Sequence, residues 1–187
     1  AVASAMLCAC SLDEYPYGFY SDNNFYKTEG DALAATNFIY DAINYIEYSR
    51  SIVFLGDMNT DAMYPKGDAT TSNKELDGWK SATFKTNTTL YNFYKYSYIT
   101  INRANSVIEN VGAMKDLDED IRNQYVGEAY FMRAYSYFNL TRNFGCVPML
   151  YSTALCEKRY QTHSTMTHLT AILSVRSEVI SLSYTMV

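Results

Sequence analysis

Apolar residues recur at helical intervals in three stretches of the chain, separated by one long polar interval. Leu33, Ala35, Ile39, Ala42, Ile43 and Ile46 follow Thr28-Glu29-Gly30-Asp31, a threonine cap with an acid three residues later, and predict a helix over about 29–48. A short apolar run, Ile52-Val53-Phe54-Leu55-Gly56, then leads into residues 57–89, which are rich in Asp, Asn, Gly, Ser and Thr and read as a long irregular loop. Loops of that length are usually functional or disordered. Periodicity returns with Leu90, Tyr94, Tyr98, Ile101, Ala104, Ile108 and Val111, a stripe at three- and four-residue steps that defines a helix closing before Gly112. The acids of Asp116–Asp120 suit the positive end of a third helix, which runs to Asn143, stops at Gly145 and is barred from continuing by Pro148. Two long antiparallel helices with a short connection form an αα-hairpin, and the first helix is expected to pack on the pair. The fold class is therefore all-α, tetratricopeptide-like helical hairpins with a long irregular loop.

Composition narrows the functional classes. At 187 residues, with 48% apolar, the chain has enough hydrophobic material for one domain and a sizeable core. The net charge is −5 and no Lys/Arg block occurs, which argues against nucleic acid and against anionic substrates. The 19 tyrosines each offer a flat apolar face and a hydroxyl, which suits helix packing for most of them and sugar stacking for some. No run of about 20 apolar residues exists to span a bilayer as a helix.

Catalytic chemistry finds little support. His163 and His168 stand five residues apart, not the spacing of a helical zinc pair, and read as solvent-exposed. Asp57 and Asp61 evoke a glycosidase pair, but the sequence shows only an acidic loop, without the two carboxylates set across a scissile bond that such an enzyme needs. Asp116, Asp118, Glu119 and Asp120 lack the glycine and distal glutamate of a calcium loop and read as a helix start. Cys146 and Cys156 flank a proline and show no metal-ligand spacing. No catalytic residue, metal site or cofactor is expected, and the chain does not read as an enzyme. Binding is better supported: the 57–89 loop joins carboxylates and amides, which bracket vicinal hydroxyls, with Tyr64 and the single tryptophan, Trp79. Trp79 is either a stacking ring or a packing residue beneath the loop.

The segment Gly127-Glu128-Ala129, Phe131-Met132-Arg133-Ala134-Tyr135, Tyr137-Phe138, Leu140, Arg142, Phe144-Gly145 and Val147-Pro148 resembles the signature helix of SusD/RagB outer-membrane nutrient-binding lipoproteins. The helix from Leu90 resembles the same family through Tyr94, Tyr98, Ile101, Ala104 and Asn105, with Tyr94 standing where the family often has Trp. At the N-terminus, Ala1 to Ala9 is small and apolar and ends in Leu7-Cys8-Ala9-Cys10, which resembles a bacterial lipobox with Cys10 as the lipidated residue; the alternative is a short apolar arm with two incidental cysteines. On this reading 1–9 is a signal-peptide remnant, 10–28 a lipidated leader, 29–149 a SusD-like helical domain, and 150–187 a tail. The tail, dense in Ser and Thr, departs from the family pattern at about Leu150 and reads as aberrant or disordered, a frameshifted or prematurely ended translation, with a genuine short variant as the alternative.

The resemblance implies a surface lipoprotein of the bacterial outer membrane that binds oligosaccharide and hands it to a SusC-like TonB-dependent transporter. Asp57, Asp61, Tyr64 and Trp79 are its glycan-binding candidates by position and type. A helical protein-interaction scaffold without glycan binding is the alternative, and peptide import a further variant. Asn105, Glu128 and Arg133, polar residues near the apolar faces of neighbouring helices, are expected to bond between helices and not to ligand.

Overall fold

The computed structural model describes residues 25–78 and 80–153; residues 1–24, Trp79 and 154–187 lie outside the described part. Among the described residues five α-helices follow in order, α1 (Glu29–Asn44), α2 (Ile46–Asp57), α3 (Thr71–Asp77), α4 (Thr88–Asn110) and α5 (Glu119–Phe144), with a 3-10 helix over Ser81–Thr86 before α4. No β-strand occurs among the described residues, as the all-α expectation requires. Antiparallel α4 and α5 form the central hairpin, and α1 and α2 pack against α4.

The helix starts follow from local chemistry. Thr28 and Asp31 form a reciprocal capping box, with Asp31 N–H donating to Thr28 Oγ1 and Thr28 N–H to Asp31 Oδ2. Asn87 opens α4 by accepting from the N–H groups of Thr89 and Leu90, and Asp118 opens α5 by accepting from Asp120 and Ile121. Gly145 ends α5 at φ 73° and ψ −120°, a conformation that favours glycine, while its N–H donates to Thr141 O.

The expected single helix over 29–48 is in fact broken at Tyr45, whose ψ of 129° separates α1 from α2. The burial phase explains the break. Helix α1 buries Ala32, Ala35, Thr36, Ile39 and Ala42, and an uninterrupted helix would carry that face on to Ile46 and Val53. Both of those are exposed, and α2 buries Tyr48, Ser51 and Leu55 instead. The break rotates the Tyr48 ring onto Phe93 of α4, where the two planes are almost parallel with centroids 5.4 Å apart.

The polar interval is less irregular than its composition indicates. Met58 to Thr70 lacks helix, but α3 and the 3-10 helix occupy much of the remainder. Leu76 anchors α3 in the core. Asn87 Nδ2 donates to Ser72 O at 2.8 Å, and Thr88 N–H donates to Ser72 Oγ, fastening α3 to the first turn of α4.

The chain leaving α5 is tied back along the hairpin by side chains of α4 and α5. Tyr98 Oη donates to Pro148 O at 2.7 Å, Asn105 Nδ2 to Leu150 O at 2.9 Å, and Leu150 N–H to Tyr137 Oη at 2.7 Å. Arg133, 5% exposed, donates from Nη1 to Oδ1 of Asn105, itself 1% exposed, at 2.9 Å. Glu128 accepts from Tyr40 Oη of α1 at 3.3 Å. The expected interhelical role of Asn105, Glu128 and Arg133 thus takes a definite form, with Asn105 also holding the exit segment.

Candidate functional site

Beside α4 opens a cleft of about 190 Å³, lined by Glu47, Arg50, Ser51 and Phe54 of α2, Thr70, Ser72 and Asn73 at the start of α3, and Thr88, Thr89 and Asn92 of α4. Three elements converge here because α3 is pinned to α4 by the Ser72 and Asn87 bonds and α2 is held against α4 by Tyr48 on Phe93. The lining is mostly hydroxyls and amides, with one carboxylate, one guanidinium and one aromatic ring. Part of the polar capacity is spent internally: Thr89 Oγ1 donates to Asn73 Oδ1 at 3.2 Å, and Ser51 Oγ donates to Glu47 O. The remaining groups, above all the side chains of Glu47, Arg50 and Asn92, present donors and acceptors to the cleft. Such a mixture suits a ligand that both donates and accepts hydrogen bonds at many points.

An aromatic cluster continues the seam between α2 and α4. Tyr45, at the break between α1 and α2, stacks on Tyr96 of α4 with centroids 4.5 Å apart and planes inclined by 28°. Lys95 lies 5.5 Å from the centre of the Tyr96 ring. Desolvation raises the Tyr96 phenol above its ordinary pKa, and Tyr45, Glu47 and Tyr91 beside it act in the same direction. Tyr45 and Tyr91 are 47% and 63% exposed, so both keep ring surface open to solvent.

None of the sequence candidates Asp57, Asp61 and Tyr64 is among the residues that line this cleft. Asp57 ends α2, Asp61 lies in the following turn, and Tyr64 is 82% exposed. No hydrogen bond, ion pair or ring contact among the described residues ties these three side chains to one another. The loop that bears them leaves the cleft wall just after Phe54 and returns to it at Thr70. Trp79 and Cys10 lie outside the described residues, as do His163 and His168. Tyr94 packs edge-on against Phe144 at 5.3 Å and beside Tyr98 at 4.7 Å, a hairpin-packing role. Sequence reasoning missed the cleft itself. Its one legible trace was Asn87-Thr88-Thr89, a cap followed by two hydroxyls that open a helix whose next polar residue on the same side is Asn92.

Among the described residues no group of three His, Cys, Asp or Glu side chains is arranged to hold a metal ion, and no helix is long and apolar enough to cross a membrane.

Fold and cleft together define a helical-hairpin protein with a cleft lined mainly by hydroxyl- and amide-bearing residues. The chain belongs to the SusD/RagB family: residues 21–179 match the SusD-like family described as "Starch-binding associating with outer membrane". SusD-like protein P2 of Formosa agariphila is 30% identical over 145 residues, 77% of this chain and 28% of that protein. SusD-like protein P38 of the same organism is 29% identical over 142 residues, 76% of this chain and 27% of that protein. The chain therefore spans less than a third of the length of these relatives. Two crystal structures of SusD superfamily proteins from Bacteroides thetaiotaomicron share the fold, with TM-scores of 0.65 and 0.62 at 16% and 21% identity. Each alignment covers 84% of this chain, and 35% and 37% of the respective structures.

Proposed function

We propose that this chain captures oligosaccharide at the bacterial cell surface, held to the outer membrane through a lipid on Cys10, and passes it to a SusC-like TonB-dependent transporter. Capture requires no covalent step, because a tethered binder raises the local concentration of its ligand near the pore by mass action. The observation that carries the reading is the cleft between α2, α3 and α4, whose lining combines hydroxyls, amides, Glu47 and Arg50 with the ring of Phe54, as suits a polyol ligand. The family's description supplies the first ligand class to test, α-glucan. On this reading Asp57 at the end of α2, and Asp61 and Tyr64 in the segment that follows it, belong to the same site, with Trp79 as its stacking ring.

The test is a glycan array covering neutral and acidic polysaccharide fragments, followed by calorimetric titration of the class retained. Retention of a glycan, lost in Asn92→Ala while the melting temperature holds, supports capture. A folded chain that retains no glycan refutes it. Phe131 and Phe138, exposed two turns apart on one face of α5, favour the alternative of a protein-interaction scaffold, which predicts that outcome.

A further inference from the structure

We infer that the stacked Tyr45–Tyr96 pair is a second, aromatic subsite of the same cleft, which takes the flat face of a further pyranose ring and makes the site selective for extended oligosaccharide over monosaccharide. The inference rests on the capture reading and deepens it.

The geometry runs along one seam. On α2, Phe54, Arg50 and Glu47 line the cleft in succession, and Tyr45 lies two residues before Glu47. On α4, Thr88, Thr89 and Asn92 line it from the other side, and Tyr96 stands one turn beyond Asn92 on the same face. Phe54 and Thr88 thus mark one end, and Tyr45 and Tyr96 the other. Eight residues of α4 separate Thr88 from Tyr96, roughly 12 Å at the helical rise, which exceeds the length of a single sugar ring. The lining changes along the way, from hydroxyls and amides around Phe54, through Glu47 and Asn92, to aromatic faces. That order suits an oligosaccharide whose first ring is held by hydrogen bonds and whose next is held by its apolar face.

The pair is open on one side. Tyr45 covers one face of Tyr96 and is itself 47% exposed, which leaves its outer face as the stacking surface. Tyr91, two-thirds exposed and beside Tyr96, borders it. A purely structural account has the pair hold the α1–α2 break against α4. It explains the contact between the rings but leaves unexplained why the outer one remains open to water at the end of a polar cleft.

The experiment titrates the full chain and its Tyr45→Ala variant with glycans of increasing length, from monosaccharide upward, in the class the array retains. Tyr45→Leu runs in parallel, because it keeps apolar bulk on Tyr96 while removing the flat face. The expected result is a loss of about 3- to 10-fold in affinity for the longer glycans in both variants, with affinity for the shortest retained glycan unchanged. Equal effects on short and long glycans, or no effect on either, overturn the subsite while leaving capture intact. An array on which the wild-type chain retains nothing overturns the capture reading and this inference with it.

Discussion

Replacing Arg133 with alanine is expected to cost the hairpin about 3 kcal/mol, from an orphaned buried amide oxygen together with lost ring contacts. Three features of the site set that figure. The guanidinium is 5% exposed and donates from Nη1 to Asn105 Oδ1 at 2.9 Å, so its loss leaves a buried amide oxygen without that donor, a penalty of about 1–3 kcal/mol. The guanidinium carbon also lies 4.9 Å from the Tyr130 ring and 5.7 Å from the Tyr151 ring, contacts worth about 0.5–1 kcal/mol each near a surface and more where desolvated. Asn105 is in turn the donor to Leu150 O, so loss of its partner loosens the exit segment as well. For a chain of this size about 3 kcal/mol corresponds to a fall of about 6–12 °C in melting temperature, measurable by differential scanning calorimetry on the full chain. A double-mutant cycle with Asn105→Ala isolates the pair, with a coupling energy of about 0.5–3 kcal/mol expected. Arg133→Ala within about 1 kcal/mol of wild type, the typical effect of an unremarkable substitution, or strict additivity in the cycle, refutes the reasoning.

Tyr48→Phe is expected to be neutral or to stabilise by about 1 kcal/mol, because the hydroxyl is fully buried with no hydrogen-bond partner at bonding distance; a loss above about 1 kcal/mol in urea unfolding would show that it is bonded after all. The same burial pushes the Tyr48 phenol up to about 12, with Ser97 pulling slightly the other way. A raised phenol contributes stability below its unfolded value near 10 that is lost as pH rises through about 12, so Tyr48→Phe should show a shallower alkaline loss than wild type. Burial also acts to raise the Glu109 carboxyl, but hydrogen bonds from Thr153 and Ser152 and the charge of Arg133 outweigh it and hold the group below the ordinary 4.5. A depressed acid contributes stability above its unfolded value that is lost as pH falls through the folded one, and solvent screening keeps the contribution small at this exposed site. Glu109→Gln should therefore flatten the stability curve below about pH 4.5, and superimposable acid curves would exclude the pairing. Gly145→Ala meets no atom within 4 Å, so its expected cost of about 1–3 kcal/mol is backbone strain alone at φ 73°; an unchanged urea midpoint would mean that the turn relaxes.

The hairpin was legible in the sequence because its two strongest signals, a three- and four-residue apolar stripe and a capped start, are local. Leu90 through Val111 and the run ending at Gly145 fall where periodicity placed them, and Asn105 and Arg133 pair as two polar residues on facing apolar surfaces should. The break at Tyr45 was not legible. Ile46 continues the stripe of α1, and only the tertiary preference for stacking Tyr48 on Phe93 turns α2 to another face. Helix α3 was hidden for the opposite reason: a seven-residue helix with Leu76 as its one buried apolar side chain gives no periodicity to count. The cleft was illegible for a related cause. Its lining comes from α2, α3 and α4, which are brought together by tertiary contacts such as Tyr48 on Phe93 and Asn87 to Ser72, so the residues that share it are dispersed from Glu47 to Asn92.

Helix α4 differs along its length, and on the capture proposal this makes stability and binding separable by mutation. Its C-terminal half carries Ile101, Ala104, Asn105 and Val107, all buried and committed to α1, α5 and the exit segment. Its N-terminal half carries Thr88, Thr89 and Asn92 on the cleft and Tyr96 against Tyr45. Substitutions in the first group act on folding, through cavities and orphaned polar atoms. Those in the second act on a surface already paid for by Phe93, Ser97 and Thr100 on the opposite side of the same turns. The signature that identifies the family is therefore a record of how the hairpin is held together. The capture proposal puts ligand choice elsewhere, in α2, the segment from Asp57 to Thr70 and the first three turns of α4, where the sequence carries no motif and the three-dimensional arrangement has to be seen.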